Sequence, residues 1–254
     1  MNMQKRGQVS IFIIIGIVAV AAVIFIFFLF RGFQEKAREV TNPQEYLKSQ
    51  INDIKRVVIK CLDSESSAIL KKLYAQGGRL DPVKYSDYDS KKVSFLCYRV
   101  KNNEPCYNMM FTRSEVEAEA KSFLGNNVKK CIDSDLISFK DKDYSLGTGN
   151  FNLNLVFDDK ALLINLDYPI TLTKGSIVEI QKTFTGERKT NFWKAADLAS
   201  DIVNTESKGE IVKVSEISPN NLDFEISRTE IVGGNLYILA SRQDELVFYF
   251  AVES

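Results

Sequence analysis

The sequence has no histidine among its 254 residues, and this absence excludes several kinds of catalysis. Ser-His-Asp and Cys-His sites need an imidazole as the general base. The sequence also lacks a G-x-S-x-G motif, a P-loop and a dinucleotide-binding fingerprint. Only Ser-Lys, Thr or paired-carboxylate chemistry would remain open to an enzyme. We therefore predict that the protein is not an enzyme and that it binds no cofactor.

Cysteine is scarce, with only Cys61, Cys97, Cys106 and Cys131. They form no C-x-x-C pair, so the spacings of zinc ribbons and redox motifs are missing and no metal site is expected. An even number of cysteines in an outward-facing domain indicates disulfides, because that compartment is oxidising. Cys97 and Cys106 flank a predicted hairpin turn, whereas Cys61 and Cys131 lie on apolar faces of two predicted helices. We predict the disulfides Cys61-Cys131 and Cys97-Cys106, with buried free thiols on the two helices as the alternative.

An excess of positive charge is also absent, because 33 basic and 33 acidic side chains cancel. Residues 1–40 hold five of the basic and two of the acidic side chains, which leaves 28 and 31 for the remainder. A mildly acidic domain is a poor binder of nucleic acid, so no such partner is predicted. The sequence has no N-x-Ser/Thr acceptor either, and N-linked glycans are not expected.

Short acidic and glycine motifs occur without the context of a ligand site. Asp133-Ser134-Asp135, Asp141-Lys142-Asp143 and Asp158-Asp159 do not follow the spacing of a calcium loop, and we interpret them as solvated turns, with a weak calcium site at the surface as the alternative. Gly147-Thr148-Gly149 is followed by no predicted helix that would present its amides to a phosphate. We therefore predict a turn there.

A long apolar run dominates the N-terminal part of the chain. Val9 to Phe30 reads VSIFIIIGIVAVAAVIFIFFLF and contains no charged residue. As a helix it would be about 33 Å long, enough to cross the hydrocarbon core of a bilayer. A buried core helix of this length would normally show a polar stripe. We predict that Val9 to Phe30 spans a membrane, within a segment 8–40 that also contains a polar joint.

The residues before this run, Lys5-Arg6-Gly7-Gln8-Val9-Ser10, resemble the class III signal peptide of archaeal type IV pilin-like proteins. The resemblance implies that residues 1–7 are a leader, that a prepilin peptidase cuts between Gly7 and Gln8, and that the apolar helix stays on the mature protein. It also implies a cytoplasmic N-terminus with the rest of the chain outside, which the Lys and Arg counts on the two flanks do not decide. The family often has Glu at the fifth position after the cut, where this chain has Phe12.

Helical patterns follow the joint. A cap at Thr41-Asn42-Pro43 predicts a helix that ends at Gln76-Gly77-Gly78, and the polar joint before it either bends the chain or lets one long helix continue. Two short strands are predicted at Val93 to Val100 and Cys106 to Phe111. Ser114-Glu115-Val116-Glu117 predicts a capping box that opens a second helix. Residues 41–140 are thus predicted to form a helical, disulfide-linked subdomain with a hairpin.

Alternating patterns dominate residues 141–254, which are predicted to form an antiparallel sheet with one helix. The predicted helix begins at Thr190-Asn191 and ends near Lys208-Gly209, with Phe192 and Trp193 in the core. The predicted strands are Phe151 to Phe157, Ala161 to Leu172, Ser176 to Thr185, Ile211 to Ile217, Leu222 to Ile226, Asn235 to Ala240 and Leu246 to Val252. The fold class is therefore α+β.

The order of these features, with Asp167-Tyr168-Pro169-Ile170 before a Lys174-Gly175 turn, is similar to that of pilin-like ectodomain proteins from small-genome archaea. The resemblance implies a structural or interaction protein: a pilin-like subunit or a membrane-anchored surface protein that presents its outer domain for adhesion or contact. Expected partners are the membrane, prepilin peptidase, and other copies or pilin-like subunits, in the cell membrane or a surface filament. The alternative is an uncleaved single-pass membrane protein whose outer domain binds a ligand or partner.

Overall fold

The protein is an α+β molecule in which helices pack on largely antiparallel sheets. The structure is a computed structural model that describes residues 16–26, 42–99, 106–140, 142–210, 212–217, 223–243 and 245–253. Its helices are α1 (16–26), α2 (Pro43–Ala75), α3 (Arg113–Leu136), α4 (Phe192–Glu206) and α5 (Val214–Ile217), with a 3-10 turn at Ile137–Phe139. Its strands are β1 (Tyr85–Tyr88), β2 (Lys91–Tyr98), β3 (Tyr107–Asn108), β4 (Ser145–Thr148), β5 (Asn152–Phe157), β6 (Ala161–Lys174), β7 (Ile177–Lys189), β8 (Phe224–Ile231), β9 (Gly234–Ser241) and β10 (Val247–Glu253).

Helix α2 begins and ends where its capping residues predict. The Oδ1 atom of Asn42 accepts a hydrogen bond of 3.3 Å from the backbone N–H of Glu45, and Pro43 occupies the first turn. Asn42 has φ −147° and ψ 78°, so its backbone is not helical and α2 begins at Pro43. At the other end Gly78, with φ 84°, donates to the carbonyl of Leu73 at 2.8 Å. An uninterrupted helix through Asn42 is therefore excluded.

The strands form two sheets. The first has the order β1-β2-β10-β9-β8, with β3 also beside β2. Its pairs are antiparallel except β2 and β10, which are parallel. In the second sheet β4 and β5 pair with successive parts of one side of β6, and β7 pairs with the other side. The long strand β6 is therefore the centre of the second sheet.

Helices cover one face of the second sheet. Helix α2 packs on β6 and β7, and α3 packs on α2 and β5, whereas α4 contacts β2 and β10. In β5 the side chains of Leu153, Leu155 and Phe157 point to the helices and alternate with exposed residues. One cluster of buried side chains includes residues of α2, α3, α4 and both sheets. The two predicted subdomains, 41–140 and 141–254, therefore share a core.

The capping box of α3 lies two residues before its predicted position. Thr112 is the N-cap, its hydroxyl accepts from the backbone N–H of Glu115, and the Glu115 carboxylate accepts from the backbone N–H of Thr112 at 2.7 Å. Thr112 and Glu115 have the same S/T-x-x-E spacing as Ser114 and Glu117, so the pattern alone is ambiguous. Because the helix uses the earlier box, Glu117 is available for another contact.

Two other local predictions differ from the structure. Residues 214–217 of the predicted strand Ile211 to Ile217 form the helical turn α5, since a short alternating pattern is a weak guide. Gly147 and Thr148, predicted to lie in a turn, belong to β4, which pairs with the second half of β6. A strand of four residues, most of them small or polar, gives little signal of its own in the sequence.

Candidate functional site

The predicted cleavage site and most of the predicted membrane span lie outside the described residues. Gly7 and Gln8 are not described, and of Val9 to Phe30 only residues 16–26 are, as the helix α1 with every side chain exposed. Within the ranges that the structure describes, no helix has both the length and the apolarity needed to cross a membrane. Cleavage and membrane insertion therefore stay predictions.

The four cysteines form the two predicted pairs. Cys61 on α2 is joined to Cys131 on α3, with 5.8 Å between their Cα atoms. Cys97 on β2 is joined to Cys106, which precedes β3, with a Cα separation of 5.3 Å. The first bond fixes α3 to the long helix, and the second fixes the two-residue strand β3 beside β2, where it pairs through Tyr107 and Asn108. The Cys61–Cys131 bond therefore stabilises the packing of the two helices, and the Cys97–Cys106 bond stabilises the first sheet at β3.

The described residues contain one group of three side chains within metal-binding distance, formed by Cys61, Cys131 and Asp135. The two sulfur atoms of this group are bonded to each other, so neither is a thiolate that would ligate a metal. Only the carboxylate of Asp135 remains as a ligand. This arrangement cannot hold a zinc or iron ion, which needs three or four protein ligands.

Two of the acidic motifs have structural partners, and Asp133-Ser134-Asp135 lies within α3, so the turn predicted there is wrong. Asp133 lies on α3, where it pairs with Lys129 at 2.6 Å and accepts a hydrogen bond from the hydroxyl of Tyr168 at 3.4 Å. The carboxylate of Asp159, in the turn after β5, pairs with Arg113 at 3.1 Å. Gly147 lies in β4, and no phosphate-binding loop is formed there. The contacts with Tyr168 and Arg113 join α3 to β6 and to the turn after β5.

Phe192 and Trp193 belong to an aromatic group in the core, as predicted. Phe192 is fully buried and Trp193 is 7% exposed. Their rings lie 5.1 Å apart and both contact the ring of Phe157. The guanidinium of Arg113 lies 4.9 Å from the Trp193 ring. The single tryptophan therefore serves packing between α4 and the second sheet, and it offers no open face to a ligand.

A partly buried polar pair at the end of α4 was not predicted from the sequence. The hydroxyl of Tyr237, on β9, donates a hydrogen bond of 2.5 Å to the carboxylate of Glu206, which also accepts from the backbone N–H of Val212. Burial raises the pKa of the Tyr237 phenol, and the bond to Glu206 raises it further. The residues are 31 positions apart, so only the tertiary fold reveals their contact. We interpret this pair as a link between α4 and the first sheet.

In two of the clefts that open to solvent, one charged side chain is already paired with a carboxylate. The first cleft, of about 450 Å³, contains Arg79, which binds Glu119 at 3.0 Å. The second, of about 810 Å³, contains Lys194, which binds Asp223 at 3.1 Å. In neither of these two clefts do the described residues place a nucleophile beside a general base, and the outer faces of the sheets are better candidates for function.

The outer face of the second sheet is one such surface. Val156 and Leu163 are direct cross-strand neighbours and are 55% and 41% exposed, while Val178 and Ile180 are each 50% exposed. Strand β7 forms one edge of this sheet, is 13 residues long, contains no proline, and packs on β6 and α2. This face and edge have no covering layer among the residues described.

The outer face of the first sheet carries a second apolar cluster, which is smaller than the cluster of the core. Its buried members are Val93, Leu236 and Ala251, and its partly buried members are Tyr88, Phe95, Ile231, Ile238 and Tyr249. Aromatic residues of this kind are enriched in protein interfaces. The alternation of β2, β9 and β10 would have predicted this face, had the strand order been known.

No relative identifies a partner for either surface, because no protein-family model, no curated protein and no solved structure matches this chain.

Proposed function

We propose that the protein is a structural or interaction protein, a type IV pilin-like subunit or membrane-anchored surface protein. It assembles through its apolar N-terminal helix and presents the folded domain for adhesion or contact. Its partners are the membrane, prepilin peptidase, and other copies or pilin-like subunits. It resides in the cell membrane as a single-pass protein with a cytoplasmic N-terminus, or in a surface filament. No catalytic step is part of this proposal.

The observation that carries the proposal is the course of the chain after the apolar run. Twelve residues separate Phe30 from Pro43, where the 33-residue α2 begins. That helix buries a stripe of apolar side chains against the antiparallel second sheet. An apolar segment leading into a long helix packed on an antiparallel sheet supports an anchored domain, with the anchor supplied by Val9 to Phe30.

The disulfides and the outer surfaces support the same proposal. Two disulfides favour an oxidising compartment, because disulfides are rare in reducing cytosol. The outer face of the second sheet exposes apolar side chains, and the outer face of the first sheet carries partly buried aromatic ones, which suits contact with other proteins.

An uncleaved single-pass membrane protein is the second candidate, and a specific residue favours it. Phe12 stands where the resembled family often has Glu, a residue that would help to align neighbouring subunits. In this case the domain binds a ligand or partner as a tethered monomer. The two candidates differ in whether the leader is removed and whether the protein polymerises.

Substitution of Gly7 separates the two candidates. If a prepilin peptidase cuts after Gly7, Gly7→Phe should retain the leader, and the protein should disappear from material sheared off the cell surface. Gly32→Phe, an equally bulky change beyond the apolar run, should be processed like the unaltered protein. Identical sizes and identical membrane-bound distributions for all three proteins would contradict the pilin-like route and favour the uncleaved anchor.

A further inference from the structure

The exposed side of the first half of α2 carries unpaired positive charge. Lys48, Lys55 and Lys60 are exposed, and along the helix they fall on one side. In the described part of the chain none of the three has an ion-pair partner. Arg56 lies on the same side with its side chain 79% exposed and bonded to Asp53. We call Lys48, Lys55, Arg56 and Lys60, together with the residue Ile59 among them, the basic face.

The basic face differs from the rest of the domain in both charge and polarity. Between residues 48 and 60 the only acidic residue is Asp53, whereas the chain after residue 40 has more acidic than basic side chains. Ile59 is 39% exposed in the middle of the lysines. The opposite side of α2 holds Ile54 and Val58, both fully buried. The basic face therefore points away from the protein's own core.

The covalent chain keeps this face close to the apolar run. Twelve residues separate Phe30 from Pro43, and fully extended they reach about 40 Å. Because the backbone of Asn42 is not helical, α2 is not constrained to continue the direction of the preceding segment. Lys48 to Lys60 cover about 18 Å along the helix axis, so all three lysines reach one flat surface only if α2 lies parallel to it.

We propose that the basic face of α2 docks on anionic lipid headgroups beside the membrane span. This inference rests on the proposed membrane span of Val9 to Phe30. The lysine ammonium groups bind headgroup phosphates, and Ile59 enters the boundary between headgroups and acyl chains. Each basic side chain near an anionic surface raises the binding constant about fivefold. The attraction acts over a screening length of about 8 Å at physiological salt, so the helix must lie close to the surface.

A fluorescent label at Ile59 tests the contact directly. The full-length protein carrying Ile59→Cys is labelled with an environment-sensitive dye and reconstituted into phosphatidylcholine vesicles with or without phosphatidylglycerol. All four native cysteines are in disulfides, so the introduced thiol alone reacts. We expect a blue shift of the emission only with phosphatidylglycerol, reversed at about 0.5 M salt. Val178→Cys, 50% exposed on the second sheet, is the matched control and should not shift.

Neutral substitutions test the role of charge. Lys48→Gln, Lys55→Gln and Lys60→Gln together should abolish the shift of the Ile59 label. The same change at Lys182, Lys189 and Lys208, which are also exposed, should leave it intact. Because the three lysines of the basic face make no hydrogen bond or ion pair with the described residues, the triple variant should unfold at the same temperature as the unaltered protein.

The remaining outcomes separate this inference from the proposed function. Release of the protein from the vesicles by alkaline carbonate would contradict the membrane span, and with it the docking. A protein that stays in the vesicles without any shift has a solvated basic face, which overturns the docking alone. An equal shift in both kinds of vesicle, increasing with protein density, would assign the face to contact with another copy and likewise overturn lipid docking.

Discussion

The carboxylate of Glu117 accepts a hydrogen bond of 2.9 Å from the backbone N–H of Phe157. Arg113, one turn earlier on α3, donates to the carbonyl of the same residue at 2.8 Å. Both polar groups of Phe157 that face away from β6 are therefore satisfied by side chains of α3. Edge strands with unpaired backbone groups tend to associate, and this contact covers the end of β5 at one edge of the second sheet. Strand β7, at the opposite edge, is not closed in this way by the described residues.

Loss of the Glu117 carboxylate should open the β5 edge. Glu117→Ala leaves a partly buried N–H without an acceptor, which costs about 1–3 kcal/mol of the free energy of unfolding. We expect faster hydrogen exchange at the Phe157 amide, measured by mass spectrometry of the peptide containing β5. Glu117→Gln retains an acceptor oxygen and should restore most of the protection. Equal exchange in all three proteins would mean that Glu117 does not protect the edge.

The two disulfides should differ in their effect on stability. They close loops with sequence separations of 70 and 9 residues. The loop-entropy relation gives about 4 kcal/mol for Cys61-Cys131 and about 2.5 kcal/mol for Cys97-Cys106. Paired Cys→Ala variants of the full-length protein in mild detergent should show this order in urea unfolding. A larger loss from the Cys97 and Cys106 pair would show that packing at β3 matters more than loop length.

Two glycines should respond in opposite directions to alanine. A Cβ on Gly234 would overlap the backbone carbonyl of Val252 in the neighbouring strand β10, so Gly234→Ala should lose about 1–3 kcal/mol. Gly125 lies in α3 with no atom near its missing Cβ, so Gly125→Ala should gain about 0.5–1 kcal/mol from helix propensity. Thermal unfolding of both variants checks the signs. Destabilisation by Gly125→Ala would show that α3 is packed more tightly than described.

Alkaline pH should destabilise the fold through two tyrosines. Burial raises the pKa of Tyr144 and of Tyr237 above the ordinary value of 10.0. Their contribution is complete below about pH 10 and is lost as pH rises, because the unfolded chain ionises first. Each group adds at most about 1.4 kcal/mol per pH unit to the decline. Urea unfolding of Tyr144→Phe and Tyr237→Phe between about pH 9 and 12 should show shallower slopes than the unaltered protein. Unchanged slopes would contradict the raised pKa values.

Local signals were sufficient to predict α2 and the cysteine pairs. Asn42, Pro43 and Gly78 mark the ends of α2 by capping chemistry that depends on a few neighbouring residues. Cys61 lies on the apolar stripe of one helix and Cys131 at the end of the other, so docking the helices brings them together. These predictions depended on periodicity, which is a property of the local sequence.

Long-range pairing was not predictable in the same way. Strand β2 lies parallel to β10, about 150 residues away in the chain, and nothing in either strand specifies the other. The alternation of β5 and β6 shows that each strand has two faces, but the position of α2 and α3 decides which face is covered. The outer surfaces around the exposed Val156 and the partly buried Tyr249 therefore became visible only with the topology.

The central claim is most directly tested by the intact mass and N-terminal sequence of the protein from native membranes and from sheared surface material, without reducing agent. A start at Gln8, a mass lower by four hydrogen atoms because of two disulfides, and recovery in the sheared fraction are the results that the pilin-like account predicts. An intact Met1, found in membranes alone, would contradict assembly as a pilin-like subunit and leave a tethered surface protein.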